Sequence, residues 1–381
     1  GLVWLVTRNP ARAASVLLVD YSCALKLSTP LAVLAAMKEG VGRGVLVKGG
    51  RFLESLAAAD AVVFDKTGTL TESRPRVAEV IPGEGYERDD ILRTAACLEE
   101  HFPHPVARAV VRKAEQEGLH HQEEHTEVEY VVAHGIASRL HGKRVLFGSR
   151  HYIHHDEGVP VDGMREDIER LAREGRSILY LAVDGKLAGL IAIEDPLRPE
   201  AAPVIRKLLG RGIRVVMLTG DDERTAAAVA ERLGISEYRS QVLPTDKAEV
   251  IRSLQAEGHT VAMLGDGIND SPALSAADVG VTLSDGADLA REVADVVLTE
   301  CRLDGLVTAV DLSKAAMRRI RTDFGLIMTL NTVFLASGLA GFLQPGPSAL
   351  LHNLTTVGVS LNAMRPMLKA GAEPQLEEVS A

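Results

Sequence analysis

Asp65-Lys66-Thr67-Gly68-Thr69-Leu70-Thr71 is the stretch on which the reading of this chain turns. It follows an apolar run, Ala61-Val62-Val63-Phe64, which predicts a short buried strand ending at the aspartate. A carboxylate at the carboxyl end of a parallel strand stands where open α/β sheets bind ligands. The neighbouring glycine and threonines predict a tight turn whose backbone and hydroxyl donors suit phosphate oxygens. An aspartate so placed can act as a nucleophile towards ATP and take a phosphoryl group as an aspartyl-phosphate.

Two further patches repeat the pattern. Arg214 to Thr219 predicts a second strand, followed by Gly220-Asp221-Asp222, and Thr260 to Leu264 a third, followed by Gly265-Asp266-Gly267-Ile268-Asn269-Asp270. Their polar tips can converge with Asp65 on one sheet edge. Magnesium takes hard oxygen ligands and usually one or two carboxylates, a role that fits Asp65 and Asp266. Between these strands, Lys247 in Pro244-Thr245-Asp246-Lys247 can neutralise charge on a transferring phosphoryl group. The three motifs in this order resemble the haloacid-dehalogenase-like core of P-type ATPases, whose phosphorylation signature the first stretch matches at every position. The resemblance implies Asp65 as nucleophile in the Lys66–Thr67 loop, with the Thr67 carbonyl as a third magnesium ligand. It also implies Thr219, Lys247 and Asn269 on the phosphoryl oxygens, and Gly220, Asp221 and Asp270 shaping the loops.

Between the first and second strands, residues 77–193 form an insertion rich in charge and histidine. His104-Pro105, with Glu99 five residues earlier, resembles the adenine-contacting pair of heavy-metal-transporting P-type ATPases. That family's Gly-x-Gly turn and Gly-Asn pair read here Ala133-His134-Gly135 and Gly148-Ser149, so Gly135 and Gly148 are the remaining nucleotide candidates. The other histidines, among them His151, His154 and His155, lack a zinc-site spacing and read as a solvated surface.

Hydropathy is uneven. Phe324 to Met364 contains no Asp, Glu, Lys or Arg, long enough for two membrane-spanning helices, with Gln344-Pro345-Gly346-Pro347 as the turn between them. A further apolar stretch, Ala13 to Met37, is interrupted only by Asp20 and Lys26. Basic residues Lys38, Arg43, Lys314, Arg318, Arg319 and Arg321 flank these spans and place the large middle region in the cytoplasm of a cell-membrane protein. A net charge of −10 argues against nucleic acid as a partner. Three scattered cysteines suit a reducing compartment.

Tyr21-Ser22-Cys23-Ala24-Leu25, with Thr29-Pro30 later, resembles the membrane metal motif of heavy-metal ATPases without its first cysteine and its proline. Losing the proline removes the usual cause of a broken helix, and losing a thiolate disfavours copper(I) relative to harder divalent ions. Ionisable groups inside a span are functional candidates: Asp20, Cys23 and His352 are the expected ligands of a transported manganese, zinc, iron or cobalt ion. Asn331, Asn353, Thr355, Thr356 and Ser360 are further polar candidates on the hairpin.

The expected fold is a doubly wound α/β sheet of the haloacid-dehalogenase type with an inserted α+β nucleotide-binding domain and transmembrane helices. The expected segments are a membrane region with one full helix (1–39) and the phosphorylation domain's first part (40–76). The nucleotide-binding domain (77–193) and the phosphorylation domain's second part (194–308) follow, then a linker with transmembrane hairpin (309–368) and a disordered tail (369–381). The expected function is ATP-driven export of a divalent transition metal, with Mg2+ and ATP as cofactors. A membrane-tethered phosphatase on the same core is the alternative, against which Thr67 stands where such phosphatases carry a second acid. The resemblance further implies an amino-terminal half bearing an actuator domain, absent from this sequence, so that the chain corresponds to the carboxyl-terminal half of a pump embedded in a lipid bilayer.

Overall fold

The computed structural model describes residues 2–72, 74–100, 105–119, 125–131 (backbone only), 135–266 and 270–368. The strands are β1 Val45–Val47, β2 Ala61–Asp65, β3 Arg76–Pro82, β4 His125–Val131, β5 Gly135–Leu140, β6 Lys143–Gly148, β7 Ser177–Val183, β8 Lys186–Glu194, β9 Arg214–Leu218, β10 Glu237–Arg239, β11 Val261–Leu264, β12 Val279–Leu283 and β13 Val296–Leu298. The chain divides into two compact units: residues 60–294, and residues 1–59 with 295–381.

In the 60–294 unit, five parallel strands run in the order β12-β11-β2-β9-β10. β2, β11 and β12 are buried at every residue, which is why they read as unbroken apolar runs and not as alternating ones. Helices such as Lys247–Ala256 and Ser271–Ala276 cover the sheet, with Ile251, Leu254 and Leu274 packed against Ala61, Val63 and Met263. The registers Asp65↔Leu218 and Phe64↔Leu264 bring the carboxyl ends of β2, β9 and β11 to one level.

The second sheet of this unit is antiparallel, in the order β3-β8-β7-β6-β5-β4. Alternation along its strands feeds two cores. One lies under the helices Arg88–Glu99 and Pro105–Gln116, with Leu92, Val110, Phe147 and Ile191. The other lies under the Arg165–Arg173 helix, with Ile153, Leu171, Tyr180 and Leu190.

The other unit is mainly helical: Leu2–Thr7, Pro10–Leu17, Ser22–Val41, Gly50–Ala58, Asp304–Ala340 and Pro345–Ala363, with β1 antiparallel to β13. Two stretches, 10–41 and 304–340, are long and apolar enough to cross a membrane. The Pro345–Ala363 helix packs on both, and His352, Asn353, Thr355 and Thr356 lower its apolar content.

Two expectations are corrected here. The first span is not one continuous helix, for the chain leaves helical pairing between Leu17 and Ser22 although the proline is absent. Asp20 supplies a local alternative to helical pairing, since its carboxylate accepts the Ser22 amide at 2.9 Å and the Ser22 hydroxyl at 2.7 Å just ahead of the new helix. The hairpin turn also falls earlier than the Gln344–Pro347 cluster: Gly341, at φ +89°, ends one helix, and Pro345 opens the next, where its missing N–H costs nothing.

Candidate functional site

Asp65 ends the central strand, and the chain then turns through Thr67 (φ −75°, ψ 124°) and Gly68 (φ 77°), the second a conformation that favours glycine. Gly68 N donates to Thr71 Oγ1 at 2.8 Å, and that hydroxyl donates to Asp195 Oδ2 at 2.5 Å. Lys247, at the start of its helix, donates from Nζ to Asp65 Oδ1 at 2.7 Å and Asp270 Oδ1 at 2.6 Å. Asp270 also accepts the Asp266 amide at 3.3 Å. Gly265 lets Asp270 fold back this closely, because a Cβ there would lie 2.8 Å from Asp270 Cβ.

Carboxylate oxygens of Asp65, Asp266 and Asp270 lie within 4.8 Å of one another, the metal-capable group found among the described residues. Three carboxylates against one ammonium leave the group net negative in a buried setting, which a divalent cation with hard-oxygen preference would balance. The donor set therefore fits magnesium. Burial, then the Asp270 carboxylate, pushes Asp65 above the ordinary range, and Lys247 pulls it back. Burial works against the Lys247 charge, but Asp65 and Asp270 outweigh it and raise its pKa.

Beside this group Lys66 pairs with Asp221 and donates to Ser177 Oγ of β7 at 3.3 Å, while Ser177 and Thr219 donate to Asp221 at 2.7 and 3.0 Å. Burial opposes the Asp221 charge, yet Lys66 and the hydroxyl donors hold it below the ordinary range. Thr67 and Gly220 are exposed at the loop tips. Asn269 and His104 lie outside the described residues, as does the tail from 369 to 381.

Sequence reasoning missed Asp195 and Arg198. The segment after β8 pairs back on the loop through the Thr71↔Leu197 bridge. Arg198, 9% exposed, donates to the carbonyls of Gly68, Thr69 and Thr71 at 3.2, 3.0 and 3.0 Å. One guanidinium thus fixes the loop backbone that carries Thr67. The only available signal was the Asp-Pro-Leu-Arg run, which reads simply as the return into the sheet.

Among the nucleotide candidates, Gly135 and Gly148 are direct cross-strand partners. A Cβ at Gly135 would lie 2.4 Å from Phe147 O and 2.5 Å from the Tyr152 ring, so packing alone requires that glycine. Glu99 sits in the last turn of its helix, where burial pushes its carboxyl up to about 7.

In the helical unit Cys23 Sγ donates to Asp20 Oδ2 at 3.0 Å, Asn331 Nδ2 donates to the Asp20 carbonyl at 3.2 Å, and Asn331 Oδ1 lies 3.4 Å from His352 Nδ1. Asn331, fully buried, thus joins the expected ligands Asp20, Cys23 and His352 into one chain of contacts. Asp20 and Cys23 are exposed. Thr355, Thr356 and Ser360 each donate to the carbonyl four residues back, and Asn353 is exposed.

Residues 59–278 match the haloacid dehalogenase-like hydrolases. The chain is 43% identical over 96% of its length to a zinc-exporting P-type ATPase of Mycobacterium marinum, covering 50% of that protein. It is 42% identical, again over 96% of its length, to a manganese-exporting P-type ATPase of Mycobacterium tuberculosis, covering 51% of it. The chain therefore spans about half the length of the curated relatives it matches. The crystal structure of a zinc-transporting PIB-type ATPase in its E2.Pi state matches 91% of this chain and 56% of that one, at 36% identity and a TM-score of 0.66. A catalytic CPx-ATPase domain studied for its changes on nucleotide binding matches 73% of this chain and 98% of its own, at 25% identity and a TM-score of 0.58. With its three strand-end motifs gathered at the edge of one parallel sheet inside the matched region, the chain belongs to the haloacid dehalogenase-like hydrolase family, and the relatives it resembles along nearly all its length are P-type ATPases.

Proposed function

We propose that this chain carries the catalytic core and part of the ion path of an ATP-driven exporter of a divalent transition-metal ion, working through an aspartyl-phosphate on Asp65. The observation that carries the proposal is the buried Asp65–Lys247–Asp270 contact set with Asp266 beside it. In the proposed step an Asp65 oxygen bonds the γ-phosphorus of ATP as the bond to the β-phosphate oxygen breaks, and ADP leaves. Lys247 favours the ionised form of Asp65 against burial and the Asp270 carboxylate and then offsets charge on the phosphoryl oxygens, where Thr219 and Asn269 also donate. Lys66 and Asp221 keep the loop in place. Asp65, Asp266 and the Thr67 carbonyl would hold magnesium, which when bound neutralises phosphate charge.

Glu99, His104, Gly135 and Gly148 are the proposed nucleotide contacts of residues 77–193. The transported ion is proposed to meet Asp20, Cys23 and His352, with Asn331 now added. Thiol, carboxylate, amide and imidazole together suit manganese, zinc, iron or cobalt better than copper(I). The 10–41 and 304–340 stretches are proposed to cross the cell membrane with the 60–294 unit in the cytoplasm. Turnover is read as the property of a pump that also contains an actuator domain.

The test is labelling by γ-labelled ATP. Wild type should give an acid-stable, hydroxylamine-sensitive adduct, and Asp65→Asn should lose it while keeping its circular dichroism. Label retained in Asp65→Asn rules the mechanism out.

A further inference from the structure

The Asp304–Ala340 helix buries one acidic residue, Asp323, which has no part in the sites described so far. Asp323 is 2% exposed, although its neighbours on the helix, Thr322 and Phe324, face outward. Its Oδ1 accepts from Asn362 Nδ2 at 2.7 Å. Its Oδ2 is buried and, among the described residues, has no hydrogen-bond partner and no Lys, Arg or His in an ion pair with it. The cation one turn away, Arg319, is committed elsewhere: its guanidinium donates to the backbone carbonyls of Asn362 and Pro366.

A charged carboxylate oxygen kept from both water and a donor is costly, and such groups in a membrane helix mark ion paths. Packing supplies further donors at the same level. Ala24, Ile327 and Val359 form one apolar cluster, while Gly40 meets Leu312 further along the same antiparallel helix pair. One turn from Ala24 towards Gly40 is Ser28, itself 2% exposed, and one turn from Ile327 towards Leu312 is Asp323. Ser28, Asp323 and Asn362 therefore share a layer, and the Ala24–Ile327–Val359 layer separates them from Asn331 and His352. Eight residues of helix put the two polar layers about 12 Å apart.

We propose that Asp323, Asn362 and Ser28 form a second, all-oxygen site for a divalent cation, between the amino-terminal end of the Asp304–Ala340 helix and the Asp20–Cys23–His352 group. Asn362 presents Nδ2 to Asp323 here and offers its oxygen to an ion by turning about its last side-chain bond; carboxylate, amide oxygen and hydroxyl are hard donors, so the site selects manganese-like ions over soft monovalent copper. An ion held there lies one apolar layer short of the thiol-containing group, as a waiting position on the same path. The inference rests on the metal-export reading, and the experiment separates the two.

The full chain in detergent micelles is dialysed against Mn2+, its electron paramagnetic resonance spectrum is recorded, and bound metal is counted beyond the one ion that the Asp65–Asp266–Asp270 group takes, which Asp266→Asn removes. Wild type should bind two ions, Cys23→Ser one with all-oxygen character, and Asp323→Asn one with the Cys23 site intact. Asp323→Asn can keep the pairing with Asn362, and Asp323→Glu should restore the second ion, which guards against reading misfolding as ligand loss. Ser28→Ala, a small change, should weaken only the second ion, by about tenfold. Two ions bound by Asp323→Asn, or a second ion indifferent to both Asp323→Asn and Ser28→Ala, overturns this site and leaves the export reading standing. No ion bound by wild type overturns both.

Discussion

Replacing Lys247 by Met tests the electrostatic core of the phosphorylation site without changing its volume greatly. The ammonium touches Asp65 and Asp270 at 2.7 and 2.6 Å with its side chain 9% exposed. At an effective dielectric of about 20, each contact is worth about 6 kcal/mol before desolvation, and burying the ammonium costs several kcal/mol in return. Removing the cation while the carboxylates stay buried should destabilise the 60–294 unit by about 3–5 kcal/mol. The loss must depend on pH with a definite sign. Without Lys247 nothing opposes the burial and mutual repulsion that already raise Asp65 from 3.8. The folded state then holds protons that the unfolded state releases, so stability falls as pH rises above about 4. The Lys247→Met deficit should be full at about pH 8 and shrink on acidification, by about 1.4 kcal/mol for each unit of pKa shift.

Hydrogen exchange of the full chain in micelles, read on peptides covering residues 61–70 and 247–256, reports the opening free energy at each pH. Saturating Mg2+ should recover more stability in Lys247→Met than in wild type, since it restores the missing positive charge among Asp65, Asp266 and Asp270. A deficit under about 1 kcal/mol at pH 8, or one equal at both ends of the pH range, refutes the view that these carboxylates are charged and mutually strained.

Arg198→Leu strips the donors from three loop carbonyls and should cost about 2–4 kcal/mol in thermal unfolding, together with most of the phosphorylation rate; Arg198→Lys should restore little, since one ammonium cannot span the three acceptors. Burial holds Glu99 near 7 against an ordinary 4.5, so the folded state keeps a proton that the unfolded state loses between these values, and stability falls as pH rises through that window. Glu99→Gln should therefore exceed wild type in urea stability by about 1–3 kcal/mol at pH 8 and match it at pH 4. Cys23→Ala should lower metal-stimulated turnover of the pump and leave ATP affinity unchanged, as measured by coupled assay and nucleotide titration.

What the sequence disclosed follows from how each group is held. β2, β9 and β11 are buried on both faces, so each reads as an apolar run, and their functional groups follow in the next few residues; covalent adjacency makes such a site legible. Arg198 reaches the same loop from 127 residues away through an antiparallel bridge, and nothing local in Asp-Pro-Leu-Arg announces the partner. Asp270 shows an intermediate case: its presence after Gly265-Asp266 was plain, but its contact with Lys247 depends on the space that Gly265 leaves.

In the membrane helices polarity was legible and partnership was not. A hydroxyl can donate to the carbonyl four residues back and so satisfy itself within its own helix, as Thr355, Thr356 and Ser360 do. A carboxylate has no proton to give that carbonyl, and an amide or imidazole that donates to it still leaves an acceptor unfilled. Buried Asp323, Asn331 and His352 must therefore look across to another helix, and Asn331 does so towards both Asp20 and His352. Asp323 Oδ1 finds Asn362, while its Oδ2 finds nothing among the described residues. Donor chemistry thus sorts polar residues in a span into those that serve the helix and those that need something beyond it. For Asp323 that remaining need is positive charge.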